Sequence, residues 1–197
     1  MKVWTIQEPI IWETLQAQGV WRTSFPYVCD AWPVAYRWMA KQLALRSEPS
    51  SFDEQAPIWV WSQWNGVKKT KPDLCSRGYL MPGTSAVRLE LDIDENRVLL
   101  SDFLLWHIPL NNGYIGRSGR DAKQFDKALS KAGLWRESLS LLPQEWRSRI
   151  EDSWVRIFDL AWEDRYFVTA MADKSIQGVM WELRLEDVRD VTHFVAR

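Results

Sequence analysis

The chain has 197 residues, 25 Lys and Arg against 26 Asp and Glu, a formal net charge of −1 and 46% apolar residues, the ordinary make-up of a globular domain. A charge so near zero supplies no global attraction to nucleic acid or an anionic membrane, although a local basic patch is compatible with it. Two cysteines, Cys29 and Cys75, exclude a disulfide scaffold and a four-thiolate zinc site. No apolar run approaches the ~20 residues of a membrane span, and nothing after Met1-Lys2 resembles a signal peptide. The expectation is one cytoplasmic globular domain over residues 1–197.

Residues 2–7 (KVWTIQ) alternate β-branched and aromatic with polar types and predict a strand. Pro9 suits the first turn of a helix that Gly19 ends. A second helix is predicted from Pro33 after Asp30, with Val34, Ala35, Trp38, Met39 and Leu45 as its apolar stripe opposite Arg37, Lys41 and Arg46. Residues 47–55 read as a polar loop.

Residues 57–64 (PIWVWSQW) predict a strand with Trp59, Trp61 and Gln63 on one face. The stretch 65–73 (NGVKKTKPD) reads as a loop exposing Lys68, Lys69 and Lys71. The clearest strand is 86–94: Val87, Leu89, Leu91 and Ile93 alternate with Arg88, Glu90, Asp92 and Asp94. On alternation alone, Leu89→Asp is ruinous and Glu90→Lys nearly silent. The short turn at 94–96 predicts an antiparallel partner over 97–103.

Residues 111–119 (NNGYIGRSG) carry three glycines in nine positions and read as a surface loop able to cup an anion with Arg117 and Arg120. Helices are predicted over 121–133 and 143–158, the second with a stripe of Trp146, Ile150, Trp154 and Ile157. Residues 165–170 and 176–185 predict strands, and 191–195 another short element. Strands interleaved with unevenly spaced helices point to an α+β fold, a mixed and largely antiparallel sheet with packed helices.

Fourteen tryptophans in 197 residues is an unusual load. They imply a core of large aromatic surface whose indole N–H groups need partners, or walls for a planar ligand. The only histidines, His107 and His193, lack the spacing of a metal site, so no metal is expected. There is no phosphate-loop motif and no nucleophile elbow. His107, between Trp106 and Ile108, reads as a packed histidine. In 178–185 (GVMWELRL), Val179, Trp181, Leu183 and Leu185 share a strand face, which, taken as the core face, puts Met180, Glu182 and Arg184 on the other. Glu182 is either an ordinary strand carboxylate paired with Arg184 or a cleft carboxylate.

Several strings together resemble a bacterial family catalogued as domain of unknown function 3841. They are residues 4–7 (WTIQ) with Trp12 and Gly19, Ala35-Tyr36 with Trp38-Met39 and Gln42, 57–59 (PIW), 71–74 (KPDL), 100–103 (LSDF), 105–107 (LWH), Ile176-Gln177 and 181–183 (WEL). The resemblance spans essentially the whole chain. At the level of fold, the chain is also similar to ADP-ribosyltransferase-like domains, which open on a strand whose polar residue touches the nicotinamide ribose and carry a catalytic Glu on a late strand. This likeness implies NAD as substrate, Thr5 and Gln7 as ribose or amide contacts, Trp59 and Trp61 as pocket walls and Glu182 as the catalytic carboxylate. It implies a nucleic acid or protein acceptor, in toxin or phage-defence biology. Two departures stand out: the opening strand has neither Arg nor His, and Met180 occupies the position two before Glu182. The alternative is a non-enzymatic module that presents exposed tryptophans and the 65–73 loop to a protein or nucleic acid.

Overall fold

The computed structural model describes residues 1–27, 32–47, 49–75, 80–135, 137–164 and 168–197. The chain forms two compact units, Met1–Leu100 with Ser175–Arg197, and Ser101–Lys174. The predicted cap Asp30, Cys29 and the first half of the strand predicted over 165–170 lie outside the described residues.

The first unit is built on β1 (Lys2–Gln7), α1 (Pro9–Gln18), β2 (Val20–Ser24), α2 (Pro33–Arg46), β3 (Gln55–Ala56), β4 (Ile58–Gln63), β5 (Ser85–Asp92), β7 (Ile176–Met180), β8 (Glu182–Arg184) and β9 (Val188–Val195), with β6 (Leu99–Asp102) at the boundary, its last two residues belonging to the second unit. The fold is α+β. A six-stranded sheet runs β6-β7-β4-β1-β5-β9, and a three-stranded sheet runs β3-β2-β8. Every described strand pairing is antiparallel. Gly19 ends α1 as expected, at φ 76°, with its N–H donating to the Leu15 carbonyl at 2.8 Å; that left-handed backbone favours glycine.

Val3, Val60, Val87, Leu89 and Leu91 from the large sheet pack with Leu15 of α1 and Leu183 of the small one, and Trp12 and Trp21 lie against this cluster. The alternation in β5 is borne out: Val87, Leu89 and Leu91 are all 0% exposed, while Asp92 is exposed. Its pairing is not the predicted one. β5 lies between β1 and β9, and β6 sits at the opposite edge of the sheet. A 3-10 turn over Glu95–Arg97, capped by the Asp94 carboxylate on the Asn96 N–H at 2.9 Å, leads the chain away instead of folding it back as a hairpin.

Three further expectations are corrected. The segment 176–185 is not one strand: it breaks at Trp181, so β7 joins the large sheet and β8 the small one. Met180, expected opposite the core face, is 1% exposed, because that change of sheet buries both sides of the segment. In α2 the buried stripe is Ala35, Met39, Ala40 and Leu43, whereas Val34 and Leu45 are exposed; helical spacing of i, i+4 and i+8 selects the former set.

The second unit contains α3 (Phe103–Leu110), α4 (Gly119–Lys131) and α5 (Gln144–Ser153), the last continuing as a 3-10 turn over Trp154–Phe158. α3 stands where the sequence predicted the end of a strand. The Asp102 carboxylate starts it by accepting from the N–H groups of Leu104 and Leu105, a side-chain cap. Trp154 and Ile157 are fully buried, and the Trp154 indole N–H donates to the Gly113 carbonyl at 2.7 Å. His107 is exposed rather than packed, its Nδ1 2.9 Å from the Phe103 carbonyl on its own helix.

Candidate functional site

Strand alternation decides where the proposed ligand-binding side chains point. Trp4 of β1 is the register partner of Trp61 of β4, so both project on one face, and Trp59 shares it. Thr5 and Gln7 therefore project on the other face, with Leu89 and Val87 as their partners on β5. The four residues are near neighbours, but they do not line one cavity from one side.

Thr5 and Gln7 are locked together. Thr5 is 1% exposed, and its Oγ1 donates to the Trp59 carbonyl at 2.8 Å. Gln7 Nε2 donates to Thr5 Oγ1 at 2.6 Å. This chain fixes the Gln7 amide and leaves its Oε1 and one N–H for a ligand.

Gln7 borders a cleft of about 360 Å³ at the end of β1, where the two sheets of the first unit meet. Trp21 and Thr23 of β2 line it, with Glu8 and Ser85 contributing polar groups. Its volume and its mixture of aromatic wall and few polar atoms suit a small organic ligand. Trp59 also borders it, while its indole meets the Tyr36 ring edge-on at 5.7 Å. Trp61 meets Trp64 edge-on at 4.8 Å and is not among the described lining residues. Trp21, Thr23, Glu8 and Ser85 were missed in the sequence. The alternation of 20–24 (VWRTS) was the available signal, with Trp21 and Thr23 on one face.

Glu182 lies elsewhere. It is the register partner of Arg22, as Leu183 is of Trp21. Because Trp21 and Leu183 face the core, Arg22 and Glu182 project from the outer face of the small sheet. Glu182 Oε2 lies 2.5 Å from Arg22 Nη2, and its Oε1 accepts from Arg184 Nε at 2.6 Å. Burial opposes ionisation, but the Arg184 hydrogen bond and the charges of Arg22 and Arg184 outweigh it and hold the carboxyl below the usual range. Among the described residues, no group of three His, Cys, Asp or Glu is placed to hold a metal ion. No helix among them is long and apolar enough to cross a membrane.

A family model described as Domain of unknown function (DUF3841) matches residues 2–189. No curated protein and no solved structure matches the chain.

Proposed function

The chain belongs to the DUF3841 family, and from the cleft of its first unit we propose that it is an ADP-ribosyltransferase-like domain that takes NAD as substrate. The observation that carries this reading is the fixed Gln7 amide beside Trp21 in a cleft between two sheets. A primary carboxamide on a flat ring is complementary to that pair: Gln7 supplies one acceptor and one donor, and an indole offers a face for the ring. Thr5 acts through Gln7, and Thr23, Ser85 and Glu8 are suited to ribose hydroxyls. Trp59 borders the same cleft, and Trp61 belongs to the packing behind it.

The proposed reaction breaks the bond between the nicotinamide nitrogen and the ribose carbon. That carbon then joins a heteroatom of a nucleic acid or protein acceptor, with release of nicotinamide and a proton. Positive charge develops at the ribose carbon, so an ionised carboxylate assists. Glu182 is the proposed carboxylate, and Arg22 and Arg184 keep it ionised. It projects from the outer face of the small sheet and does not reach a ribose held beside Gln7; transfer through Glu182 requires the nicotinamide ribose on that outer face, and the carboxylate that borders the cleft itself is Glu8. The proposal places the protein in the cytoplasm, in toxin or defence biology.

Titration with NAD should raise the melting temperature, and Gln7→Ala and Trp21→Ala should each weaken that response. Glu182→Gln should retain the shift; loss of nicotinamide release from labelled NAD in that variant supports Glu182 as the carboxylate, and unchanged release excludes it. Absence of both shift and release in the unaltered protein sinks the reading. It would favour the non-enzymatic alternative, for which exposed Trp32, stacked on Tyr36 at 6.5 Å, is the anchor.

A further inference from the structure

The second unit carries a line of cations that the cleft does not use. Along α4, Arg120, Lys123, Lys127 and Lys131 are all exposed. At about 100° per residue they fall, with Gln124, within an arc of about 100°, and they extend over about 16 Å. Phe125 and Leu129 lie on the opposite side of the helix, 4% and 9% exposed. None of the four cations forms an ion pair among the described residues.

The acids of α4 stand off this stripe. Asp121 accepts from the Tyr114 hydroxyl and the Arg117 N–H, and Asp126 is half-buried on the flank. A groove of about 780 Å³ runs beside the stripe, bordered by Ser118, Arg120, Lys123, Gln124 and Lys127, with Asp164 on its rim.

We propose that this face of α4 binds the phosphate backbone of a nucleic acid. A line of unpaired cations, one helical turn apart, complements a linear polyanion. An anionic bilayer is the poorer fit, because membrane-lying helices expose the apolar side to be buried in lipid, and here Phe125 and Leu129 are already in the protein core. Just past the stripe, Trp135 is 54% exposed, and an exposed indole can stack on a base. The surface is independent of the NAD reading, and its test contains no NAD.

The test is fluorescence anisotropy of a labelled mixed-sequence single-stranded 20-mer, titrated with the full chain at several salt concentrations. Four phosphate contacts give a log–log salt slope of about −3, roughly a 60-fold loss of affinity from ~50 to ~200 mM salt. Lys123→Glu with Lys127→Glu should abolish binding at low salt while leaving the circular dichroism spectrum unchanged. Lys127→Gln alone should make the slope shallower by about one. Trp135→Ala should weaken binding without changing the slope. Lys68→Glu with Lys69→Glu, exposed lysines of the first unit, should bind as the unaltered chain does. The proposal is overturned if the 20-mer does not bind at low salt, or if both double variants lose binding equally. Binding of phosphatidylserine vesicles without binding of the 20-mer overturns it as well.

Discussion

Lys174 Nζ lies 2.8 Å from Asp102 Oδ2, in an ion pair whose side chains are 0% and 2% exposed. The lysine also donates to the Trp162 carbonyl at 3.0 Å, while the other carboxylate oxygen caps α3. One pair therefore joins the two ends of the 101–174 unit and starts its first helix.

Removing only the cation should be costly, because a buried carboxylate is then left without a counter-charge. Lys174→Met is expected to lose about 3–5 kcal/mol in urea unfolding. Adding Asp102→Asn, which keeps a side-chain oxygen for the α3 amides, should recover much of that loss. Equal stability of the single and double variants would contradict the buried pair.

Strand alternation treats Glu90 as a replaceable outward residue, but the structure gives it three partners. Its Oε2 accepts from the Trp4 indole N–H at 3.0 Å, and Lys2 and Lys71 lie 2.6 Å and 3.6 Å from its carboxylate. Glu90→Lys removes the indole's acceptor and adds a third cation, for an expected cost of about 1–3 kcal/mol by thermal unfolding. Leu89→Asp, which places a charge in the core, should yield insoluble protein.

Glu182 sets a pH dependence whose sign follows from its lowered pKa. Its stabilising contribution is complete above the ordinary glutamate value of about 4.5 and is lost as the pH falls through its lower value in the folded state. The melting-temperature gap between the unaltered protein and Glu182→Gln should be constant near neutral pH and close below about pH 4.5. A gap that widens on acidification would reverse the assignment.

Two glycines of the 111–119 loop should answer differently to alanine. A Cβ on Gly116 would lie 2.5 Å from the Ala122 backbone nitrogen, whereas one on Gly119 meets nothing within 4 Å. Gly116→Ala is expected to cost about 1–3 kcal/mol by overpacking, and Gly119→Ala almost nothing in the same chemical unfolding assay. Packing against α4 thus accounts for Gly116 in a segment whose composition suggested an anion-cupping loop.

What the sequence determined by itself is local. The strand at 2–7, most of the one predicted over 86–94, the helix from Pro9 to its glycine stop and the buried face of β5 all follow from period-two or helical spacing, which neighbours in the chain enforce. Tertiary structure decided everything that depends on distant partners. It set β5 between β1 and β9, split 176–185 between two sheets at Trp181, and brought Trp59 but not Trp61 to the cleft that Gln7 borders. It also made Trp21, twelve residues beyond Pro9, a wall of the cleft. Periodicity specifies which side chains share a face, but not which strand lies alongside. Pairing is settled by long-range burial, and a cavity exists only where segments distant in sequence meet.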